Sequence, residues 1–522
     1  MNESERIGII DIGSNSIRLV LYELLDGDAY RIIDESKESA RLSDRIREDG
    51  TLGIEDIRYL ADVLLHFKRL CAANRIGRIR AVATAAIRNA ANRRDIVAAL
   101  RAWTGLDIEV LSGEEEARIG FLGMINTTDI ADGFLIDIGG GSTEISLFRN
   151  RKLLHSVSFP FGCVNTAKRY AAGNGPVRPE QLEEIRKMVD EALRKHPWCA
   201  SNRGLPLIGL GGTVRTLCKI DQARRRYSLP LTHQYELQPS QVRGWIDTLA
   251  PLSAEKRKKF DGVSDDRADL IVPGFAILHA ILQHLGSTVL VVSGAGLRDG
   301  LFYETINPKR PLVDNVLQRS VHTLLKLYPT VSVRHTDQVN KLALKLFDGV
   351  FGKEGDPRLR SCVDAASRLY RIGIAISYYD YPKHTFYMLA HSRLNGMSHR
   401  EVLMTALIAS YKTRGRAKKL QQAHRDILQD QDLGVISRLG TLVRLAVALD
   451  RSGTQPVSEI EVTRTPDQLQ VHLYSTHDTS VELREVRSLR SEIKKVWGFK
   501  LVLRETRDKQ QKPGKKRKRS AE

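Results

Sequence analysis

A chain of 522 residues, 42% of them hydrophobic, exceeds what one core usually supports and is expected to divide into several globular domains. It has no apolar run long enough to span a bilayer, its start at residues 1–6 is unlike a secretory signal, and its five scattered cysteines lack a C-x-x-C pair; a cytoplasmic setting without membrane attachment, disulfides or cysteine-held zinc is expected. The formal charge is +19, and +13 remains when the seven basic residues and one acid of 509–522 are set aside, so the body itself suits a polyanionic partner.

The first elements form a repeat. IGIIDIGSNSIRLVLYE at 7–23 recurs as GFLIDIGGGSTEISLFR at 133–149, and each copy reads as an apolar strand, an Asp, a Gly/Ser/Asn-rich reversal and an alternating second strand. Such a tip can wrap a phosphate. Glycine lets backbone N–H groups converge on an anion, while Ser14, Ser16, Ser142 and Thr143 add hydroxyls. Asp11 and Asp137 end apolar strands, where a carboxylate suits a hydrated Mg2+. Two such loops facing each other would make a clamp.

After the first hairpin come a strand within 32–45, a helix over 54–73, an apolar run at 79–86, a helix at 95–103 and a short strand at 108–111. The order restarts at Phe134, with a helix near 180–194, a strand-turn at 205–217, a helix near 271–284 and a strand-turn at 289–304. The fold class is therefore α/β, in two equivalent halves over 1–128 and 129–306. Long amphipathic helices follow, clearest at 435–450, giving a helical domain over 307–455. Strands at 460–463, 469–474 and 499–504 around one helix make a small α+β cap over 456–508. The basic tail at 509–522 is expected to be disordered.

Four glycine-bearing loops, at 11–16, 137–143, 209–213 and 293–296, each follow an apolar strand, and none has a P-loop or dinucleotide fingerprint. In LSGEEEARIGF, Ser112 and Glu115 have capping-box spacing, and Glu114 gains from the helix dipole. Glu116 is left without a structural task and is placed to act as general base on water. Arg88 and Arg298 each follow an apolar or glycine turn and can brace phosphate oxygens. Arg88 ranks first, because Asp299 offers Arg298 a structural partner.

These residues carry a resemblance. DIGSNS at 11–16, ATAAIRNA at 83–90, SGEEEA at 112–117, DIGGGSTE at 137–144, GLGGT at 209–213, RADLIVPG at 267–274 and SGAGLRDGL at 293–301 are similar, in order, to the exopolyphosphatase/guanosine pentaphosphate phosphohydrolase family. The resemblance implies an actin/hexokinase-type fold of two ribonuclease-H-like halves with the site in the cleft between them. It also implies release of the terminal phosphate from inorganic polyphosphate, from pppGpp, or from both. By position, Glu116 resembles the water-activating glutamate and Arg88 the phosphate-binding arginine, and Asp137, Gly139, Gly140, Gly141, Ser142 and Glu144 resemble the main phosphate and magnesium loop. Asp11, Ser14, Asn15, Gly211 and Thr213 are weaker carry-overs. The expected site thus has Glu116, Arg88 and Asp137 in catalysis and Mg2+ on Asp11, Asp137 and Glu144. Phosphate falls to Ser14, Asn15, Gly139, Gly140, Gly141, Ser142, Thr143, Gly211, Gly212 and Thr213.

Longer members of that family carry an HD-phosphohydrolase-like domain, whose metal site needs a His, an adjacent His-Asp pair and a distant Asp. His335 and Asp450 suit the first and last, but Tyr370 and Arg371 stand where the pair belongs. Losing two ligands while gaining a fixed cation predicts no divalent site. His384, His391 and His399 are expected in the core or in solvent. The domain is expected to guide polymer or to mediate a homodimer. Inorganic polyphosphate ranks above pppGpp/ppGpp as partner because the chain has the charge for a basic groove, and nucleic acid is not required. The rivals are a pppGpp 5′-phosphatase, a non-catalytic alarmone or polyphosphate sensor, and a sugar or acetate kinase of the same superfold. An intact Glu116 argues against the sensor, and the SGEEEA segment against the kinase.

Overall fold

The computed structural model describes residues 5–26, 29–171, 173–329 and 332–507; the basic tail lies outside them. The chain divides into two units, one running to Thr323 with Asn395–Ser398 added, the other comprising Leu324–Leu394 and the residues from His399 onward. Residues 307–323, grouped from the sequence with the helical domain, fall in the first unit.

In the first unit the initial hairpin is β1 (Arg6–Ile12) and β2 (Ile17–Leu24), followed by β3 (Tyr30–Glu38), β4 (Arg78–Ala83) and β5 (Ile108–Val110). The sheet order is β3-β2-β1-β4-β5, with an antiparallel meander on one side and parallel strands on the other. The second sheet uses β6 (Gly133–Ile138), β7 (Thr143–Arg149), β8 (Lys152–Phe159), β9 (Leu207–Leu210), β10 (Tyr235–Leu237) and β11 (Leu290–Val292) in the order β10-β11-β9-β6-β7-β8. It repeats the first topology, with β10 added antiparallel at the edge. These are two ribonuclease-H-like sheets, as the resemblance implies.

Both central strands are covered on two faces, and for that reason β1 and β6 read as nearly continuous apolar runs; Ile7, Ile9, Ile10, Phe134 and Ile136 are fully buried. The first sheet packs on the helix Ile54–Ala73 through Ile57, Leu60, Leu64 and Phe67. The second packs on Ile271–Leu285, which is apolar around most of its circumference and buried accordingly. Two further helices meet backbone to backbone. A Cβ on Gly123 of Gly113–Ile125 would stand 2.0 Å from the Gly296 carbonyl, and one on Gly300 of Leu297–Ile306 would stand 1.9 Å from the Ile119 carbonyl.

The second unit is helical, with a three-stranded sheet of β12 (Val457–Arg464), β13 (Gln468–Ser475) and β14 (Lys500–Arg507). β13 and β14 are parallel, so the helix Ser480–Trp497 serves as their crossover. His335 Nδ1 lies 2.7 Å from Asp450 Oδ2, and His335 Nε2 lies 2.6 Å from the Tyr370 hydroxyl. Tyr370 thus occupies the imidazole nitrogen that a metal would need. Among the described residues no group of three or more His, Cys, Asp or Glu side chains is placed to hold a metal ion, and no helix is long and apolar enough to cross a membrane. His399 is buried, His384 half-buried, and His391 exposed against the Tyr387 ring.

Candidate active site

The two glycine-rich tips fold alike. Gly13 N donates to Ser16 O (3.1 Å), and Gly139 N donates to Ser142 O (2.9 Å). They also face each other: a Cβ on Gly140 would stand 3.0 Å from the Ser14 Cβ, and one on Gly141 3.3 Å from the Ser14 Oγ. Glycine is needed here so that two loops can approach.

Beside them lies a cleft of about 140 Å³. Asp11, Ser14 and Asn15 line it from the first tip, and Asp137, Gly139, Gly140 and Ser142 from the second. Gly211 and Gly212 close another side, and Glu116 enters from the helix Gly113–Ile125. That helix starts in the way its sequence requires. Glu115 N donates to Ser112 Oγ (3.1 Å) and Ser112 N to Glu115 Oε2 (2.8 Å), leaving Glu116 to the cleft.

Five expected residues do not line the cleft. The Thr143 hydroxyl donates to the Phe161 carbonyl (2.7 Å) in the interior. Gly141 packs on Ser14, its carbonyl accepting from Asn165 Nδ2 (3.0 Å). Thr213 is the third residue of the helix Gly211–Arg225, and at about 100° per residue it faces away from Gly211; its methyl group lies against Gly274. Glu144 is buried behind the cleft, its Oε1 accepting from Ser158 Oγ (2.7 Å), beside a small void shared with Glu116 and Asp137. It does not join Asp11 and Asp137 in one metal-sized cluster. Arg88 is turned onto Glu116, its Nη1 2.6 Å from Oε2 and 3.1 Å from the Leu111 carbonyl.

In its place four other arginines reach the cleft, Arg18, Arg215, Arg267 and Arg298. Arg298, ranked below Arg88 from the sequence, lines the cleft where Arg88 does not, and Arg18, Arg215 and Arg267 were not singled out from the sequence. Two had a readable signal. Once the helix is seen to begin at Gly211, Arg215 falls one turn above it on the same face. Arg18 is the cross-strand partner of Asp11, as Glu144 is of Asp137, so equivalent positions of the repeat hold opposite charges. Arg267 comes from the short turn Asp265–Arg267 and lies over Gly212, where a Cβ would stand 2.0 Å from its Nη2. That contact is tertiary and left no local signal.

Among the described residues none of these four arginines has a carboxylate within salt-bridge distance. Burial lowers the pKa of Arg215 to about 10, with Arg298 and Arg18 lowering it further; burial and then Arg298 lower that of Arg18. The carboxylates are pushed the other way. Glu116 is raised to about 7 by burial, against Arg88 and with Asp137 and Asp11 adding to the rise. Asp137 is raised to about 6 by burial, opposed by Arg215 and reinforced by Asp11. Burial raises Asp11 as well, against Arg298 and Arg18. Asn15, 8% exposed, has neither side-chain amide atom hydrogen-bonded. Partly buried cations that crowd one another and an unpartnered amide are groups whose chemistry suits an anion.

The Arg88–Glu116 pair gives a sharp expectation. Arg88→Met should lower kcat by about 10- to 100-fold, the value of one charge-assisted hydrogen bond. Because Arg88 holds the Glu116 pKa down, its loss should also move the acidic limb of the rate profile to higher pH. A phosphate ligand would instead show as a raised KM with the limb unmoved, and the pH dependence of kcat and KM separates the two.

Two facing glycine-rich tips, three partly buried carboxylates and four arginines thus share one cleft on paired ribonuclease-H-like sheets. The chain matches the model of the Ppx/GppA phosphatase family over residues 20–308 and that of Ppx/GppA phosphatase domain III over 316–492. It belongs to the Ppx/GppA phosphatase family. Among solved structures it is similar to the Aquifex aeolicus Ppx/GppA family member, at 29% identity and a TM-score of 0.52 over 59% of this chain and 99% of that one. A second structure of the Aquifex aeolicus PPX-GPPA enzyme gives 30% identity and a TM-score of 0.50 over 57% and 98%. An exopolyphosphatase from Cytophaga hutchinsonii, at 23% identity and a TM-score of 0.55 over 59% and 100%, shares the fold.

Proposed function

We propose that the chain is an exopolyphosphatase, hydrolysing the terminal phosphoanhydride of inorganic polyphosphate. The observation that carries this reading is the cleft's set of four arginines without carboxylate partners among the described residues, facing three partly buried carboxylates. Glu116, steadied by Arg88, takes a proton from the water that attacks the terminal phosphorus. The new O–P bond forms as the bridging P–O bond breaks, and the shortened chain leaves as the second product. Arg18, Arg215, Arg267 and Arg298 neutralise the phosphoryl oxygens, and the amides of the two tips and the Asn15 side chain orient them.

Asp11 and Asp137 suit Mg2+. They are hard oxygen donors on one cleft, each raising the proton affinity of its neighbours, and Mg2+ commonly uses only one or two carboxylates beside substrate phosphates and water. When bound, it would neutralise charge on the phosphates.

Polyphosphate is favoured over pppGpp because no aromatic side chain lines the cleft among the described residues, leaving a guanine ring without a stacking partner. Phosphate release from long polyphosphate, tripolyphosphate, pppGpp and ATP tests the assignment. Long polyphosphate should be cleaved fastest, with an affinity that falls steeply as salt rises, since each contacted phosphate displaces counterions. Faster release from pppGpp at equal concentration overturns the substrate, and full activity after exhaustive chelation overturns the role given to Mg2+.

A further inference from the structure

We propose that the second unit holds a ligand site of its own, built for a nucleoside phosphate, in a cavity of about 480 Å³ that joins tyrosine rings to arginines left without carboxylate partners. The site is separate from the cleft and does not depend on the hydrolysis proposed above.

The cavity opens where the helices Tyr381–His391, His399–Ala409, Asp432–Ala448 and Ser480–Trp497 bring their side chains together. His335 and Tyr370 lie on its lining, already joined to each other and, through His335, to Asp450. The hollow that remains is therefore not a metal centre. Its volume falls within the range of about 300–1,000 Å³ typical of small-molecule sites.

Its walls have two chemistries. Ile408, Val443, Val447 and Leu489 give an apolar surface, and Tyr378, Tyr381 and Tyr411 set rings around it. Tyr378 is 62% exposed at the rim, its ring meeting that of Tyr379 edge-on and otherwise leaving much of its surface to solvent. Four cations also line the space, Arg371, Lys412, Arg444 and Arg451, against a single acid, Glu485. Lys412 is held by Asp380 (2.9 Å) and Arg444 by Glu492. Among the described residues Arg371, half-buried, and Arg451, exposed, have no carboxylate within salt-bridge distance. Burial raises the pKa of the Tyr381 hydroxyl, and Arg371, Arg451 and Arg444 are near enough to oppose that rise, so the cations and this tyrosine line the same cavity.

A purely apolar ligand would leave those guanidinium groups unmatched. Inorganic phosphate, or a phosphate chain, would leave the rings and the aliphatic wall unused. A planar base stacked against tyrosine with its phosphates on Arg371 and Arg451 satisfies both, since aromatic stacking and forked guanidinium contacts are the usual means of holding those two parts.

The test is GDP binding to the full chain by calorimetry, with tripolyphosphate in excess to fill the cleft. One GDP site per chain should persist, and Arg371→Ala/Arg451→Ala should weaken it by about tenfold or more, the loss expected for charge-assisted contacts. Tyr378→Ala, at an exposed position where folding is not at stake, should weaken it as well, so it decides the matter even if the double variant fails to fold. The proposal is overturned if GDP does not bind at millimolar concentration, if tripolyphosphate displaces it fully, or if Tyr378→Ala leaves its affinity unchanged.

Discussion

Glu116→Gln should bind polyphosphate as the parent does and turn it over about 10²- to 10⁴-fold more slowly, the usual contribution of a general base. The substitution keeps shape and hydrogen bonding while removing the proton acceptor. The Arg88 contact at 2.6 Å can still be made to the amide oxygen, so the helix start and the cleft should stay as they are. Glu115→Gln is the internal control. It weakens the capping box with Ser112, so its cost should appear in thermal stability with kcat little changed. Single-turnover phosphate release beside equilibrium binding distinguishes the two. A near-native rate for Glu116→Gln would remove Glu116 from the chemistry, whereas a matching loss of binding would make it a structural residue.

Gly300→Ala is expected to be among the most destabilising single methyl additions in the first unit. The new Cβ would meet the Ile119 carbonyl oxygen at 1.9 Å, a backbone atom that no rotamer change can move aside. The helices carrying Glu116 and Arg298 must then separate. Overpacking of this kind costs about 1–3 kcal/mol, sometimes more, and the catalytic geometry should suffer with it. Gly244→Ala provides the contrast, since nothing lies within 4 Å of its Cβ position in the helix Pro239–Leu249. There the methyl group should be neutral or stabilise by up to about 1 kcal/mol. Thermal unfolding of the two variants checks the difference, and equal melting temperatures would mean that the close helix crossing does not constrain the fold.

Local chemistry in the sequence determined a good part of this protein. Two copies of one hairpin pattern, each an apolar strand closing on Asp and glycine, were enough to require two similar sheets, because period and turn residues are local properties. The capping spacing of Ser112 and Glu115 isolated Glu116 for the same reason. The absent His-Asp pair at Tyr370 and Arg371 was legible as a missing ligand set, although only the fold shows the Tyr370 hydroxyl against His335.

What escaped was decided by direction and distance. Thr143 and Thr213 belong to phosphate-like motifs, yet one points into the interior and the other sits on the far face of a helix whose start was read as a turn. The sequence ranks Arg88 above Arg298, because only Arg298 has an acid beside it. Tertiary packing turns the first onto Glu116 and leaves the second in the cleft. Arg267 reaches the site only because Gly212, far away in sequence, leaves room beneath its guanidinium. The sequence by itself determined where the glycine-rich tips fall and which acid the capping box leaves free. The tertiary structure alone decided which cations would face them, because a long arginine can serve several partners and only the packing around it selects one.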